Sequence, residues 1–343
     1  MRSWIAAPFF LLVAACGGPG GPDSPELADA GASAERALAS RLLLAAAEHG
    51  NTEIATFAVE RGADLEIREG ELGRTPLILA AENGRAEIVS LLIEAGAKVD
   101  AEAEGGWTAL MHAAATDRGP IARRLTAAGA DPERRDGRFG YTPVMIAALL
   151  GSVDAVAALA DAGADLEATE GDTGATPLLL AAGSRDTSAP LVVAELLVRG
   201  AVIDRARRDG VTPLMAATAQ GNETIVRLLL DSGATPDVRA ADGHTALGIA
   251  AARGDAGVAA ALLNAGADPD QPAAGRVPPL VLAADRGDTG TVRTLLAAGA
   301  DPDAAGADGV SARDVVARKG NSALAELLAS TAAAGEVEAD GAL

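Results

Sequence analysis

The chain has 343 residues, of which 49% are apolar and 2% aromatic, and its 48 acidic and 28 basic residues give a net charge of −20. This charge disfavours binding to nucleic-acid phosphates or anionic lipid surfaces, because like charges repel, and it favours a basic partner. The low aromatic content argues against a compact enzyme core of this length, and a single cysteine excludes an internal disulfide.

Residues 1–15 have the pattern of an export signal. Arg2 precedes an apolar run from Ile5 to Leu12, which is shorter than the ~20 residues of a membrane-spanning helix. The segment from Leu12 to Cys16, Leu-Val-Ala-Ala-Cys, resembles the lipobox of bacterial lipoproteins. That resemblance implies that Cys16 is lipidated and begins the mature protein, and Gly17 then favours the outer membrane, facing the periplasm, over inner-membrane retention. The alternative is an ordinary signal peptide with an incidental cysteine.

Three further segments follow the signal. Residues 16–36 hold the lipidated cysteine and a stretch rich in Gly, Pro, Ala and Asp, which predicts a flexible tether. Residues 37–331 are rich in Ala and Leu and contain Thr-Pro and Gly-Ala pairs at regular spacing, which predicts one repeat domain. Residues 332–343 are predicted to form a disordered tail.

A Thr-Pro pair or a near equivalent recurs about every 33 residues along this domain. In the best-preserved copy, Thr212 suits the cap of a first helix and Pro213 its first turn. Gly221 suits a left-handed helix end, Asn222 the cap of a second helix, and Gly233 the end of that helix. The polar residues that follow predict a hairpin-like loop. The repeated positions are Thr75, Thr108, Thr142, Thr176, Thr212, Thr245, Pro278 and Ser311.

A Gly-Ala pair follows each of the first seven of these positions, from Gly96 to Gly299. One more pair, at Gly62, indicates a degenerate first copy, which makes nine units. Helices this short do not persist alone, so the units must stack on one another. The period and the sequence Asp-Gly-Val-Thr-Pro-Leu at 209–214 resemble the ankyrin repeat. The resemblance implies an all-α repeat solenoid of about nine helix-turn-helix units with hairpin-like loops. The histidine that commonly follows Thr-Pro-Leu in that family is replaced here by Ile78, Met111, Met145, Leu179, Met215 and Val281.

No pattern in the sequence predicts catalysis or a cofactor. His49, His112 and His244 fall in different units, and the glycines follow the repeat period rather than a phosphate-binding loop. The Asp-Pro-Asp steps at 268–270 and 301–303 could supply carboxylates to Ca²⁺. Loop aspartates that bond their own backbone explain these steps better. Extra residues near Ser184 predict a longer turn in that unit.

The placement of aromatic residues gives the best prediction of a binding site. Trp107 and Tyr141 each precede a repeat threonine, a position that ankyrin repeats typically direct towards their concave binding surface, and stacking of units should bring the two rings side by side. Rigid aromatics with a nearby arginine are the composition of an interface hot spot. The alternative is that Phe139 and Tyr141 only cover a thin loop. The predicted partner-binding residues are Trp107, Tyr141, Phe139, Arg138, His244 and Arg74.

These patterns predict a non-catalytic module, monomeric and held to the membrane only by its lipid, which binds a partner protein through its loops and concave face. Three uses stay open: a scaffold for an envelope enzyme, an immunity or inhibitor protein against a periplasmic toxin, and a self-associating structural protein of the envelope. The acidity also has two explanations, attraction of a basic partner and solubility of a stacked apolar protein.

Overall fold

The computed structural model describes residues 25–329 as eighteen α-helices in nine consecutive pairs, which confirms the predicted all-α repeat fold. The signal at 1–15, Cys16 and the tail at 332–343 lie outside the described residues. Within each pair the odd-numbered helix comes first, and a loop leads from the even-numbered helix to the next unit.

The helices are α1 (Pro25–His49), α2 (Thr52–Glu60), α3 (Pro76–Glu82), α4 (Ala86–Glu94), α5 (Ala109–Ala115), α6 (Gly119–Ala127), α7 (Pro143–Leu149), α8 (Val153–Asp161), α9 (Pro177–Ala182), α10 (Ala189–Val198), α11 (Pro213–Gln220), α12 (Glu223–Asp231), α13 (Ala246–Arg253), α14 (Ala256–Asn264), α15 (Pro279–Arg286), α16 (Thr289–Ala297), α17 (Ala312–Lys319) and α18 (322–329). Short 3₁₀ turns lie at Glu104–Gly106 and Ala274–Arg276.

The unit that begins at Thr212 forms as its sequence predicts. The Thr212 hydroxyl accepts a hydrogen bond from the amide of Met215 at 3.3 Å, and the Asn222 side chain accepts one from the amide of Ile225 at 3.1 Å. Gly221 ends α11 with a φ of +73°, a left-handed conformation that an L side chain rarely adopts. In this unit, each helix therefore has one of its first free backbone amides capped by a side chain.

The units stack by packing odd-numbered helices against odd-numbered helices and even against even. Small alanine pairs allow this close approach, and Ala80, Ala81, Ala250 and Ala251 have no exposed surface. The residues that replace the family histidine are all buried, so apolar packing has taken over that position. They are Ile78, Met111, Met145, Leu179, Met215 and Val281.

The first helix differs from the sequence prediction, which placed a flexible tether as far as residue 36. The structure has α1 running from Pro25 to His49, so its first residues occupy the end of the predicted tether. The reason lies in the local composition, because the glycines and prolines of this stretch concentrate before Pro25 and alanine dominates after it. Proline at the start of a helix costs no hydrogen bond.

The longer turn predicted near Ser184 is present between α9 and α10, over residues 183–188. The Ser184 hydroxyl donates to the carbonyl of Leu149 in the preceding unit at 3.0 Å, and Asp186 accepts from the amide of Ser188 at 2.7 Å. The extra residues are thus held by hydrogen bonds across the unit boundary and within the turn.

In the first Asp-Pro-Asp step, Asp270 joins one unit to the next, while Asp268 bonds within its own loop. Asp270 accepts a hydrogen bond from the amide of Asp301 at 2.9 Å, and Asp268 accepts one from the amide of Asp270 at 3.0 Å. The same contact between units recurs elsewhere, since Glu133 accepts from the amide of Asp165 at 2.8 Å. These carboxylates therefore act as structural acceptors along the stack. Among the described helices, none is long and apolar enough to cross a bilayer.

Candidate functional site

The loops between units are closed hairpins, and they form one wall of the candidate site. In each hairpin, a backbone amide donates to the carbonyl of the residue that precedes the helix cap, as between Asp136 and Tyr141 at 3.0 Å and between Ala240 and His244 at 2.9 Å. Adjacent hairpins are also bonded to one another, for example from the amide of Gly137 to the carbonyl of Gly105 at 2.7 Å. We call the surface where the hairpins meet the odd-numbered helices the groove face.

Phe139 and Tyr141 lie on one hairpin and stack on each other, with ring centroids 5.3 Å apart. The Arg138 guanidinium lies 4.9 Å from the Phe139 ring centroid. The buried Asp136 carboxylate accepts from the amides of Phe139 and Tyr141 at 3.1 and 2.8 Å, which fixes this hairpin. Burial, followed by the charge of Glu170, raises the pKa of the Tyr141 hydroxyl, so it remains a neutral hydrogen-bonding group.

Trp107 and Tyr141 do not form the predicted ring pair. The Trp107 ring meets His112 edge to face, with centroids 5.0 Å apart, and no ring contact joins Trp107 to Tyr141 in the described part of the chain. The reason is that each aromatic finds a partner within its own unit. The predicted aromatic residues therefore form two separate ring pairs rather than one cluster.

A cavity of about 220 Å³ lies between the unit of Arg74 and the unit of Trp107. Arg74 forms ion pairs with Glu69 and Glu82, each at 2.7 Å, and these three side chains are between one-fifth and about one-third exposed. Burial, reinforced by the positive charge of Arg74 and opposed by Glu82, lowers the pKa of His112. Its imidazole is therefore neutral at neutral pH.

A second and larger cavity, of about 510 Å³, lies farther along the groove face and is lined mainly by aliphatic side chains. Its floor includes Leu149, Leu180, Ala216 and Ile249, one from each of four consecutive odd-numbered helices, and all four are half-buried. His244, the remaining predicted site residue, lines this cavity from the hairpin side. The groove face thus offers an extended apolar surface that the aromatic residues did not indicate.

The charged residues beside the larger cavity are tied to one another. Arg207 and Asp209 form an ion pair at 2.7 Å, and His244 Nδ1 lies 2.7 Å from an Asp242 oxygen. Burial alone would raise the pKa of Glu170, but hydrogen bonds from Thr173 and from nearby backbone amides outweigh that effect and hold it at about 2. Glu170 is therefore ionised at neutral pH and fixes the hairpin that carries Thr173, a residue of the cavity wall.

Sequence reasoning missed the floor of the larger cavity. Leu180, Ala216 and Ile249 all stand four residues after the repeat threonine or its equivalent, and each lies next to positions that are fully buried. An apolar residue that recurs at one position beside the core positions is a signal the sequence does contain. It was hidden because a half-buried groove residue and a core residue look alike in an Ala/Leu-rich helix.

Within the described residues, no group of three or more His, Cys, Asp or Glu side chains could hold a metal ion. The two cavities are lined by apolar, charged and hydrogen-bonding side chains. Such surfaces are the elements of protein recognition.

Comparison with known families agrees with this architecture. A model described as "Ankyrin repeats (3 copies)" matches residues 42–136, 121–201 and 188–273, and a model described as "Ankyrin repeat" matches residues 278–307. No curated protein matches the chain. Among solved structures, the human ASB11 ankyrin repeat domain is similar with a TM-score of 0.58 and 27% identity, over 67% of this chain and 100% of that one. The nine stacked units and these matches show that the chain is a protein–protein interaction module belonging to the ankyrin-repeat family.

Proposed function

We propose that this protein is a non-catalytic binding module of the bacterial envelope that holds one partner protein along its groove face. The observation that carries the proposal is the apolar cavity of about 510 Å³, whose floor crosses four consecutive units. Burial of such aliphatic surface stabilises a complex by about 25 cal/mol per Å² before the costs of association. The surrounding ion pairs supply a polar rim around an apolar centre, which is the usual anatomy of a protein interface.

The stacked units suit this role because they hold the groove residues in fixed positions. Leu180 and Ile249 project from capped helices whose other faces are buried in the core, and hydrogen-bonded hairpins form the facing wall. A preorganised surface loses little conformational freedom when it binds, so more of the contact energy appears as affinity.

The envelope location rests on the lipobox-like segment that ends at Cys16. A lipid at this residue, followed by the Gly- and Pro-rich stretch before α1, would anchor the module while leaving its groove face accessible. We expect Cys16→Ser to move the protein from the membrane fraction of its host to the soluble fraction. Retention of the variant in the membrane fraction would contradict the anchor without affecting the binding proposal.

The binding proposal is tested by the same type of substitution, leucine to glutamate, at two positions on different faces of one unit. Leu180 is half-buried in the groove, whereas Leu191 on α10 is 62% exposed on the opposite, even-numbered helix layer. Leu180→Glu places a charge in the apolar groove and should abolish capture of the partner from the native envelope fraction. Leu191→Glu adds the same charge outside the groove and should leave capture intact.

The readout is affinity capture after crosslinking, with circular dichroism to confirm that both variants keep the helicity and melting temperature of the parent. One protein captured by the parent and by Leu191→Glu, but not by Leu180→Glu, would support the groove as the binding site. Equal capture by both variants would rule out the groove, and capture of no protein by the parent would refute the binding function in this compartment.

A further inference from the structure

The smaller cavity beside Trp107 has the dimensions of a site for one side chain. It encloses about 220 Å³ between two consecutive units, with Leu72 and Arg74 on one hairpin and Glu104 and Trp107 on the next. A backbone hydrogen bond from the amide of Glu104 to the carbonyl of Leu72, at 2.8 Å, holds the two hairpins together. The walls of this cavity are therefore fixed relative to each other.

The cavity carries more negative than positive charge. Arg74 is the only cation among its lining residues, and it is already paired with Glu82 and with the nearby Glu69. Glu104 adds another carboxylate, which is exposed and forms no side-chain hydrogen bond or ion pair within residues 25–329. His112 is neutral at neutral pH and does not offset this charge. The carboxylates at this cavity therefore outnumber its single paired cation, and this excess of negative charge attracts a cationic group.

The remaining walls suit a long cationic side chain with an aliphatic stem. The Trp107 ring is half-buried, so part of the indole is accessible, and tryptophan is the best aromatic partner for a cation. Leu72 is 51% exposed at the same cavity, where it can pack against methylene groups. A guanidinium group stacks on aromatic rings and pairs with carboxylates in a fixed geometry, whereas an ammonium acts as a point charge.

We infer that this cavity, which we call the Trp107 pocket, receives an arginine side chain of the partner protein. The inference rests on the proposed function, since it assigns the chemistry of one residue in the partner. In the complex, the guanidinium lies against the Trp107 ring and pairs with the Glu104 carboxylate, while its methylene groups pack on Leu72. The apolar groove then contributes contact area, and the Trp107 pocket selects a basic residue at one end of the interface.

The test uses the full-length chain with Trp4→Phe, so that Trp107 is the single tryptophan whether or not residues 1–15 are removed, because the sequence contains two. Its fluorescence is followed during titration with a hexa-arginine peptide at low ionic strength. A hexa-citrulline peptide, of similar shape but uncharged, is the control ligand. We expect a saturable fluorescence change with hexa-arginine and none with hexa-citrulline.

Two matched variants separate the pocket from the general acidity of the protein. Glu104→Gln removes the unpaired carboxylate of the pocket, and Glu94→Gln removes an exposed carboxylate from α4, on the other helix layer. Both change the net charge equally, and we expect Glu104→Gln to raise the Kd at least fivefold while Glu94→Gln changes it less than twofold.

Equal Kd values for the two variants would mean that hexa-arginine is attracted by the overall charge alone, and they would overturn the inference. The absence of any change in Trp107 fluorescence would overturn it as well. Neither result bears on the proposed function, which the capture experiment with Leu180→Glu tests without a basic peptide. Failure of that capture experiment would likewise leave the result of the peptide titration unchanged, so the two proposals can fail separately.

Discussion

Two regions of the groove face differ in chemistry although both lie where hairpins meet odd-numbered helices of the same repeat domain. The Trp107 pocket combines an aromatic ring with carboxylates and a paired arginine, while the larger cavity is floored by aliphatic side chains. The residue before the cap is Trp107 in the first region and Val211 in the second, and four residues after the cap stand His112 and Ala216. The difference shows that a few positions in each unit determine the chemistry of the groove face, while the packing of the units stays the same.

These positions can vary because they lie beside the core rather than in it. The cap residues Thr108 and Thr212 and the apolar residues Met111 and Met215 are buried in both regions, whereas Trp107 and Val211 are only half-buried. A substitution at a half-buried position costs less packing energy than one in the core. The repeat therefore separates the residues that hold the fold from those that define the binding surface.

Both regions depend on the packing between neighbouring units, and weakening that packing at the boundary between them tests this dependence. Leu159 is fully buried in α8, which packs against α6 on one side and α10 on the other. We expect Leu159→Ala to lower the free energy of unfolding by about 2 to 4 kcal/mol through loss of buried apolar surface and creation of a cavity. Because repeat stability depends on contacts between neighbouring units, urea unfolding followed by circular dichroism should also become less cooperative.

The matched control is Leu150→Ala in the same unit, since Leu150 is 47% exposed. That substitution removes the same atoms but little buried surface, so it should cost less than about 1 kcal/mol. If Leu159→Ala and Leu150→Ala lowered the free energy of unfolding equally, the packing of α8 against its neighbours would not be what couples the two regions.

Much of the fold could be predicted from the sequence because its determinants are local. A threonine cap, a proline in the first turn and a glycine at a left-handed helix end each act within a few residues, and Thr212, Pro213 and Gly221 all behave as their types predict. Repetition then strengthens a weak signal, because the same pattern recurs in successive units. The start of α1 at Pro25 was missed because that segment has no repeat to supply such a signal.

The candidate site was harder to predict because it depends on contacts between units. The sequence placed Trp107 and Tyr141 at equivalent positions, but it could not show that Trp107 would meet His112 while Tyr141 would stack on Phe139. Which residue a ring contacts depends on hairpin conformation and on distances across the stack. For the same reason, the groove floor at Leu180 and Ile249 became apparent only when the helices were placed side by side.

A substitution at Glu170 should affect only the second region, because this buried carboxylate holds the hairpin that carries Thr173 and Ala175, two residues that line the larger cavity. It accepts hydrogen bonds from the amides of Asp172 and Thr173, both at 2.5 Å, and from the amide of Ala175 at 3.2 Å. Glu170→Gln keeps the shape but loses the charge, and we expect it to lower the free energy of unfolding by about 1.5 to 3 kcal/mol at pH 7, as for other hydrogen bonds to an ionised group. The hairpin at Trp107 should keep its amide protection in hydrogen exchange.

The pH dependence of this effect has a definite sign. The pKa of Glu170 falls from an ordinary value of 4.5 to about 2 in the folded protein, so the folded state binds its proton less tightly than the unfolded state. The stabilisation is complete above pH 4.5 and is lost as the pH falls towards 2. Urea titrations at a series of pH values should therefore show the parent and Glu170→Gln converging in stability over that interval. A difference that stays constant down to pH 2 would mean that the Glu170 charge does not hold the hairpin, and that the groove wall depends on backbone contacts alone.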